Sequence, residues 1–187
     1  MDLHPFPTIE TRRLCLRQIN IDDAWEIYRI YNNERALEFI ERSKLEAEES
    51  ALEIIEKHRR EREKGRSLYW GLSFNEQPEK MIGAIGFCNI SKTHARAEIR
   101  YVLHPENHGK KLMNEAFQAV LQHGFSEMHL HRIESWINQN NKAAIALLRK
   151  QGFLQEALFT ERHYYKGRYH DTAVFALLKN RFEPQRP

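Results

Sequence analysis

The sequence is poor in the features that mark specialised chain classes. Only two cysteines, Cys15 and Cys88, occur in 187 residues. Each stands in a strand-like segment beside apolar residues, so the pair predicts buried free thiols rather than a disulfide framework. No apolar run approaches the roughly 20 residues of a membrane-spanning helix. Met1 to Glu10 mixes prolines and charges without an apolar core, which argues against a signal peptide. Neither sign of charge dominates: 29 Lys and Arg face 26 Asp and Glu, a formal net charge of +3. No helix concentrates positive charge free of interspersed Glu, so a nucleic-acid partner is not expected. Linkers, repeats and low-complexity stretches are also missing. The expectation is one domain over 1–187, cytoplasmic, without membrane or nucleic-acid partners, as a monomer or homodimer.

What is present is an alternation of strand and helix signals. Leu14 to Ile19 alternates as a first strand, and Asn20 with Asp23 caps a helix through about Tyr31. A second helix is expected from about Leu45 to Lys64, with Leu52 and Ile55 as its sparse apolar positions and the charges of Lys57 to Arg62 on a solvated face. Leu68 to Phe74 and Met81 to Asn89 read as strands joined by a turn at Gln77-Pro78. Arg96 to Leu103 is the fourth strand, ended by Pro105, and a helix covers about Lys111 to Glu127. Arg132 to Ile137 is the fifth strand. Asn141 to Gln151 is a helix stopped by Gly152, and two strands close the chain, the last from Thr172 to Leu178. This order predicts one mixed α/β (α+β) domain.

Chemistry concentrates where the fourth strand turns into its helix, in the string YVLHPENHGKKLMNEA from Tyr101 to Ala116. A strand running into a helix start presents unpaired amides and the positive end of the dipole, an anion site. Gly109 allows close backbone approach, and Lys110 and Lys111 add charge. On these residues alone, a phosphate site and an ordinary connection with solvated lysines are both open.

The segment resembles the acetyl-CoA loop, Q/R-x-x-G-x-G/A, of the GCN5-related N-acetyltransferases (GNAT). It is more similar still to the "YxLxPxxWGKGxMTEA" of the branch that acetylates N-terminal alanine or serine of ribosomal proteins. Four further segments match that branch in order: Thr11 to Arg17 ("TxRLxLR"), His131 to Glu134, Asn141 to Phe153 ("NxxSxxLLEKxGF") and Tyr165 to Asp171 ("YxNGxxxD"). The resemblance implies a mixed sheet of about seven strands, splayed between the fourth and fifth, flanked by about four helices. It implies acetyl-CoA as cosubstrate and no metal. The backbone of Tyr101, Val102 and Leu103 would then pair with the pantetheine arm, residues His108, Gly109, Lys110, Lys111, Leu112 and Met113 would hold the pyrophosphate, and Asn141 would touch the cofactor. Three positions depart from the branch: His108 replaces Trp, Lys111 replaces Gly or Ala, and Ala144 replaces Ser. Since Ala is tolerated in the family at its position, Lys111 is expected to hold right-handed helical angles and to add salt-sensitive affinity for a diphosphate.

The implied reaction is direct transfer of an acetyl group to a primary amine. A thiol leaving group with a pKa of roughly 8.5 makes a strong acid unnecessary, and Leu148 stands where some relatives carry a tyrosine acid. A backbone amide near Leu103 would meet the oxyanion. By its match to the acidic residue of the branch's "AEIGY" strand, Glu98 is the candidate catalytic base. Arg96 and Arg100, two residues either side and so on its face, favour its ionised form and leave open a purely ion-pairing role. His104 and His108 straddle Pro105, His129 and His131 lack a carboxylate neighbour, and no H-E-x-x-H occurs, so no metal site is expected. By family analogy the acceptor groove lies between the first two helices and the last hairpin. Glu34, Glu38 and Glu41 would attract an amine there and Tyr164, Tyr165 and Tyr169 would wall it. The acceptor is expected to be a protein N-terminus. A polyamine or other small amine is the alternative, and a non-catalytic acetyl-CoA-binding module is the alternative of another class.

Overall fold

The computed structural model describes residues 5–40 and 42–183. Its strands are β1 (Ile9–Glu10), β2 (Leu14–Gln18), β3 (Leu68–Phe74), β4 (Gln77–Ser91), β5 (Arg96–Leu103), β6 (Arg132–Asn138), β7 (Leu154–Tyr165) and β8 (Arg168–Leu178). They form one sheet in the order β1-β2-β3-β4-β5-β6-β8-β7. Every neighbouring pair is antiparallel except β5 and β6, which run parallel. The helices are α1 (Ala24–Asn32), α2 (Glu49–Glu63), α3 (Leu112–Ser126) and α4 (Lys142–Lys150). The short β1 is an eighth strand beyond the expected seven; two residues are too few to leave an alternation signal.

Period-two alternation sends side chains of the central strands into two cores. Ala97, Ile99 and Leu103 of β5 join Phe117, Val120 and Leu121 of α3 and Leu148 of α4 on one face. Val102 joins Ile27 and Ile30 of α1 and Ala51 and Ile54 of α2 on the other. In α2 the buried pair is therefore Ala51 and Ile54, not Leu52 and Ile55: Leu52 is 38% exposed and Ile55 lies at the margin. The small Ala51 lets the helix lie close, while the bulkier neighbours are turned aside. Nor does Gln77-Pro78 make the β3–β4 turn. Phe74 pairs with Gln77, so Asn75 and Glu76 form the loop. Pro78 falls in the irregular stretch before the Ser73–Met81 pair, where its missing N–H costs no ladder bond. Cys15 and Cys88 are free thiols, half-buried rather than fully buried. Among the described residues no helix is long and apolar enough to cross a membrane.

The junction of β2 and α1 is fixed by a fork of charge. Arg17 Nη1 and Nη2 donate to the two carboxylate oxygens of Asp23 at 2.8 and 2.7 Å, and Asn20 N donates to Asp23 Oδ2 at 2.9 Å. Arg17 Nη2 also donates to Glu79 O in the irregular part of β4. Asp23 is only 1% exposed, so truncating it removes the one carboxylate from a half-buried guanidinium and leaves it backbone acceptors alone. Asp23→Ala is expected to lower unfolding free energy by about 3 kcal/mol, read from urea denaturation. A loss below about 1 kcal/mol would show that the fork merely decorates the junction.

Candidate active site

The site begins as a gap in the sheet. Parallel pairing of β5 with β6 covers Arg96, Ala97 and Glu98 against Arg132, Ile133 and Glu134, and then stops. Beyond it Ser135 Oγ reaches Ile99 O at 3.4 Å. On its other edge β5 stays paired to β4 as far as the Leu103–Gly83 pair. His104 N donates to Ile82 O at 2.8 Å, and antiparallel ladders alternate. The polar backbone of Val102 therefore points at β4, while that of Tyr101 and Leu103 points into the gap. So of the three residues expected to lend backbone to a ligand, two present it there. Leu103 O already has His108 Nε2 at 3.0 Å, which spends that ring on shaping the turn. His104 likewise faces its own turn, with Glu106 N 3.4 Å from Nδ1.

Beyond the turn lies an anion cradle. Gly109 has φ +76° and Lys111 φ +59° with ψ +15°, with no positive φ at Lys110 between them. Alternating handedness of this kind turns successive N–H groups into one concavity, a nest. The right-handed geometry expected of Lys111 is thus overturned. It is the N-cap of α3 and not part of its first turn, and only a left-handed residue turns the chain from Gly109 into the helix. No side chain caps α3, so its first-turn N–H groups are open to a ligand. By contrast, Asn141 caps α4 itself, accepting from Ala144 N at 3.0 Å. Its carbonyl is committed there, which leaves its amide nitrogen for the cleft it lines. Lys110 Nζ donates to Asn107 Oδ1 at 3.0 Å. Leu112 and Met113 bury their side chains in the core and offer only backbone.

The opening motif holds this cradle. Thr11 Oγ1 and Arg13 N donate to Glu115 Oε1 at 2.7 and 2.8 Å, Arg13 Nε to Glu115 Oε2 at 2.7 Å, and Arg13 Nη1 to Lys110 O at 3.0 Å. Burial works against the Glu115 carboxylate, but the Thr11 and Arg13 bonds hold its pKa below the ordinary range. Glu115 escaped the sequence reading because nothing local links it to residues a hundred positions earlier.

Around the gap runs one cleft of about 1720 Å³, bounded by residues from both faces of the sheet, Gly109 and Lys111 on one side and Glu98 and Arg100 on the other. Glu98 is 8% exposed. Asn89 Nδ2 donates to its Oε2 at 2.7 Å and Arg100 Nε to its Oε1 at 2.6 Å. Arg100 is the expected neighbour, but Arg96 turns instead to Glu134, 3.8 Å away. Of the expected acceptor residues, Glu38 lines the cleft, whereas Glu34 is paired with Lys44 at 2.7 Å. Glu41 lies outside the described residues. Tyr164 and Tyr169 pack on each other on the exposed hairpin, and Tyr165 donates to Arg42 O at 2.6 Å. The aromatic lining instead includes Tyr31, Tyr69 and Trp136, brought in by α1, β3 and β6, together with Phe39 and Tyr101. His58 of α2 stacks on Tyr69 with centroids 4.4 Å apart. Burial, with Lys57 and Arg42 nearby, lowers its pKa to about 4.

A splayed parallel pair beside an uncapped helix and a nest is an arrangement able to receive a diphosphate-bearing ligand along a strand edge. An acetyltransferase (GNAT) domain model matches residues 13–154. The chain is 33% identical over 176 residues to the uncharacterised N-acetyltransferase YoaA of Bacillus subtilis (strain 168), covering 94% of this chain and 99% of that one. RimL, a ribosomal alpha-N-protein acetyltransferase solved with coenzyme A, superposes with TM-score 0.84 at 19% identity, over 92% of this chain and 98% of its own. The spermidine N-acetyltransferase of Vibrio cholerae, solved with CoA and spermine, gives 0.81 at 22%, over 91% and 98%. The chain belongs to the GNAT acetyltransferases and is an acetyl-CoA-dependent N-acetyltransferase.

Two measurements probe this geometry. Left-handed angles cost a non-glycine residue roughly 1 kcal/mol, so Lys111→Gly should raise unfolding free energy by about that much. It should also bind CoA more weakly than the parent at low salt, with the difference shrinking at high salt as screening removes the lysine's attraction. Tighter binding by the variant at both salts would show that Lys111 obstructs the cradle. For His58, a folded pKa below the ordinary 6.5 means stability is fully present above pH 6.5 and lost as pH falls toward 4. The slope in that window is at most about 1.4 kcal/mol per pH unit. His58→Phe, which keeps the stack on Tyr69, should flatten it; an unchanged slope would clear His58.

Proposed function

We propose that the chain acetylates the α-amine of a peptide or protein N-terminus, with Glu98 as the base. The observation that carries this reading is the continuity of the cleft through the gap. It joins the nest at Gly109–Lys111 to the face bearing Glu98. In this reading the nest and open amides of α3 hold the diphosphate, and the gap-facing backbone of Tyr101 and Leu103 pairs with the pantetheine arm. Asn141 adds its amide. The amine enters from the α1–α2 face, its nitrogen attacks the thioester carbonyl, the C–S bond breaks and the thiolate leaves.

Each chemical demand has a candidate in the chain. The N–H of Tyr101 or Leu103 is aimed where the oxyanion develops. Glu98 takes the amine proton through a water, since each of its oxygens already accepts one bond but keeps a further lone pair. Both Glu98 oxygens are engaged, by Asn89 and Arg100, so it acts at one remove from the amine. That suits an α-amine of pKa roughly 7.7 to 8, which needs far less help than a lysine near 10.4. Leu148 is fully buried in the core, so no side chain at that position assists the leaving thiol. An acyl-enzyme at Cys88 is disfavoured, because burial, and then Glu98, raise that thiol's pKa.

The test is a side-by-side acceptor panel with wild type and Glu98→Gln. A peptide beginning with Ala or Ser should exceed spermidine and free lysine in kcat/KM. The variant should lose about 10² to 10⁴ in kcat while binding CoA as the parent does. A polyamine winning the panel would reverse the acceptor assignment, and wild-type rates across the pH range would make Glu98 structural.

A further inference from the structure

The acceptor half of the cleft is cationic. Among the described residues, Arg35, Arg42, Lys57, Arg66, Arg100 and Arg162 line it against Glu38, Glu61 and Glu98. Two of these carboxylates are already matched: Glu98 by Arg100 at 2.6 Å and Glu61 by Lys64 at 3.1 Å. Arg42 and Arg162 carry no ion pair among the described residues; both are laid on aromatic rings. Arg42 lies 4.3 Å from the Tyr31 centroid. Arg162 lies 4.4 Å from that of Trp136 and 5.0 Å from that of Phe159, two rings themselves stacked at 5.6 Å with an interplanar angle of 5°.

A guanidinium over a ring keeps in-plane N–H donors for a carboxylate: Arg42 bonds the Tyr31 hydroxyl as well, but with five donors in its fork it retains others that match a carboxylate. The stacked partners also hold the side chain in place, so little freedom is lost when a ligand binds. A polycation entering this half would meet several guanidiniums with Glu38 as the one lining carboxylate lacking an ion pair among the described residues. Like charges at such range are costly, and that cost falls on polyamines before any contact is made.

We propose that the acceptor carries a carboxylate close to the amine that is acetylated, and that Arg42 and Arg162 are the residues that read it. This rests on the reading of the cleft as the amine-acceptor site and narrows its substrate class. The carboxylate can come from an acidic side chain at the second or third position of an N-terminus, or from a small amino acid. Either way the charge, not the scaffold, is what the two arginines recognise.

The experiment measures acetyl transfer from acetyl-CoA to C-terminally amidated peptides identical except for positions two and three, which are acidic, alanine or lysine. Serine, serinamide and spermidine complete the panel. Wild type should prefer the acidic over the alanine peptide by about tenfold or more in kcat/KM, chiefly through KM, with the preference shrinking in high salt. In the Arg42→Gln/Arg162→Gln double variant that ratio should collapse toward 1. The Arg42→Lys/Arg162→Lys variant should recover part of it, since charge returns without the fork. CoA binding by calorimetry certifies that each variant is folded. Equal or better use of the alanine peptide, the lysine peptide or spermidine by wild type overturns the proposal, as does a ratio that survives the double variant. If no peptide is acetylated but serine far exceeds serinamide, the N-terminal reading fails and the carboxylate inference stands. If peptides beat spermidine without any acidic preference, the reverse holds.

Discussion

Parallel pairing between β5 and β6 lasts for only three residue pairs, and a strand edge that loses its partner inside a sheet must find another for its polar backbone. Here the freed edge belongs to Tyr101 and Leu103, because the alternation fixed by the antiparallel pairing to β4 sends their N–H groups, and not those of Val102, into the opening. The gap therefore does two things at once. It supplies unpaired backbone donors at a fixed orientation, and it opens a passage between the two faces of the sheet. Residues of the cradle and Glu98 line the same cleft.

The two helices bordering the gap differ in one detail with large consequences. α4 satisfies its own N-terminus with Asn141, whereas α3 begins at a left-handed lysine with no side-chain cap. An uncapped N-terminus costs stability unless an anion arrives. The long-range fork from Thr11 and Arg13 to Glu115 and Lys110 holds this unfavourable segment in place. On the opposite face, charge is arranged differently: Glu98 accepts from Asn89 and Arg100, and the guanidiniums of Arg42 and Arg162 sit over aromatic rings. One end of the cleft offers backbone N–H groups to a ligand, the other guanidinium side chains.

Much of this was legible in the residues. β3 and β5 begin and end at the expected residues, Leu68–Phe74 and Arg96–Leu103; in β5 the contrast of exposed Arg96 and Arg100 with buried Ala97 and Ile99 makes the period legible. The strand-to-helix junction with Gly109 announced the cradle. Lys111 was misread because residue type alone favours right-handed angles for lysine, while the path of the chain into α3 demands the opposite. The tyrosines of the last hairpin were misplaced for a similar reason. Tyr164 and Tyr169 look like wall residues in sequence, yet the β7–β8 pairing turns them outward, and Trp136 and Tyr69, unremarkable in their own segments, take the wall instead.

The sequence by itself determined the order of elements, the strand–glycine–helix junction and the family resemblance, each carried by short stretches whose residue types and spacing can be read locally. Only the tertiary structure decided which backbone groups face the gap, that Glu115 clamps the cradle from across the fold, and that Arg42 and Arg162 line the same cleft as Glu98. Those facts depend on where strand pairing stops and on which elements, far apart in sequence, are brought against one another. Periodicity tells which way a side chain leaves its own strand or helix; only packing tells what it then meets.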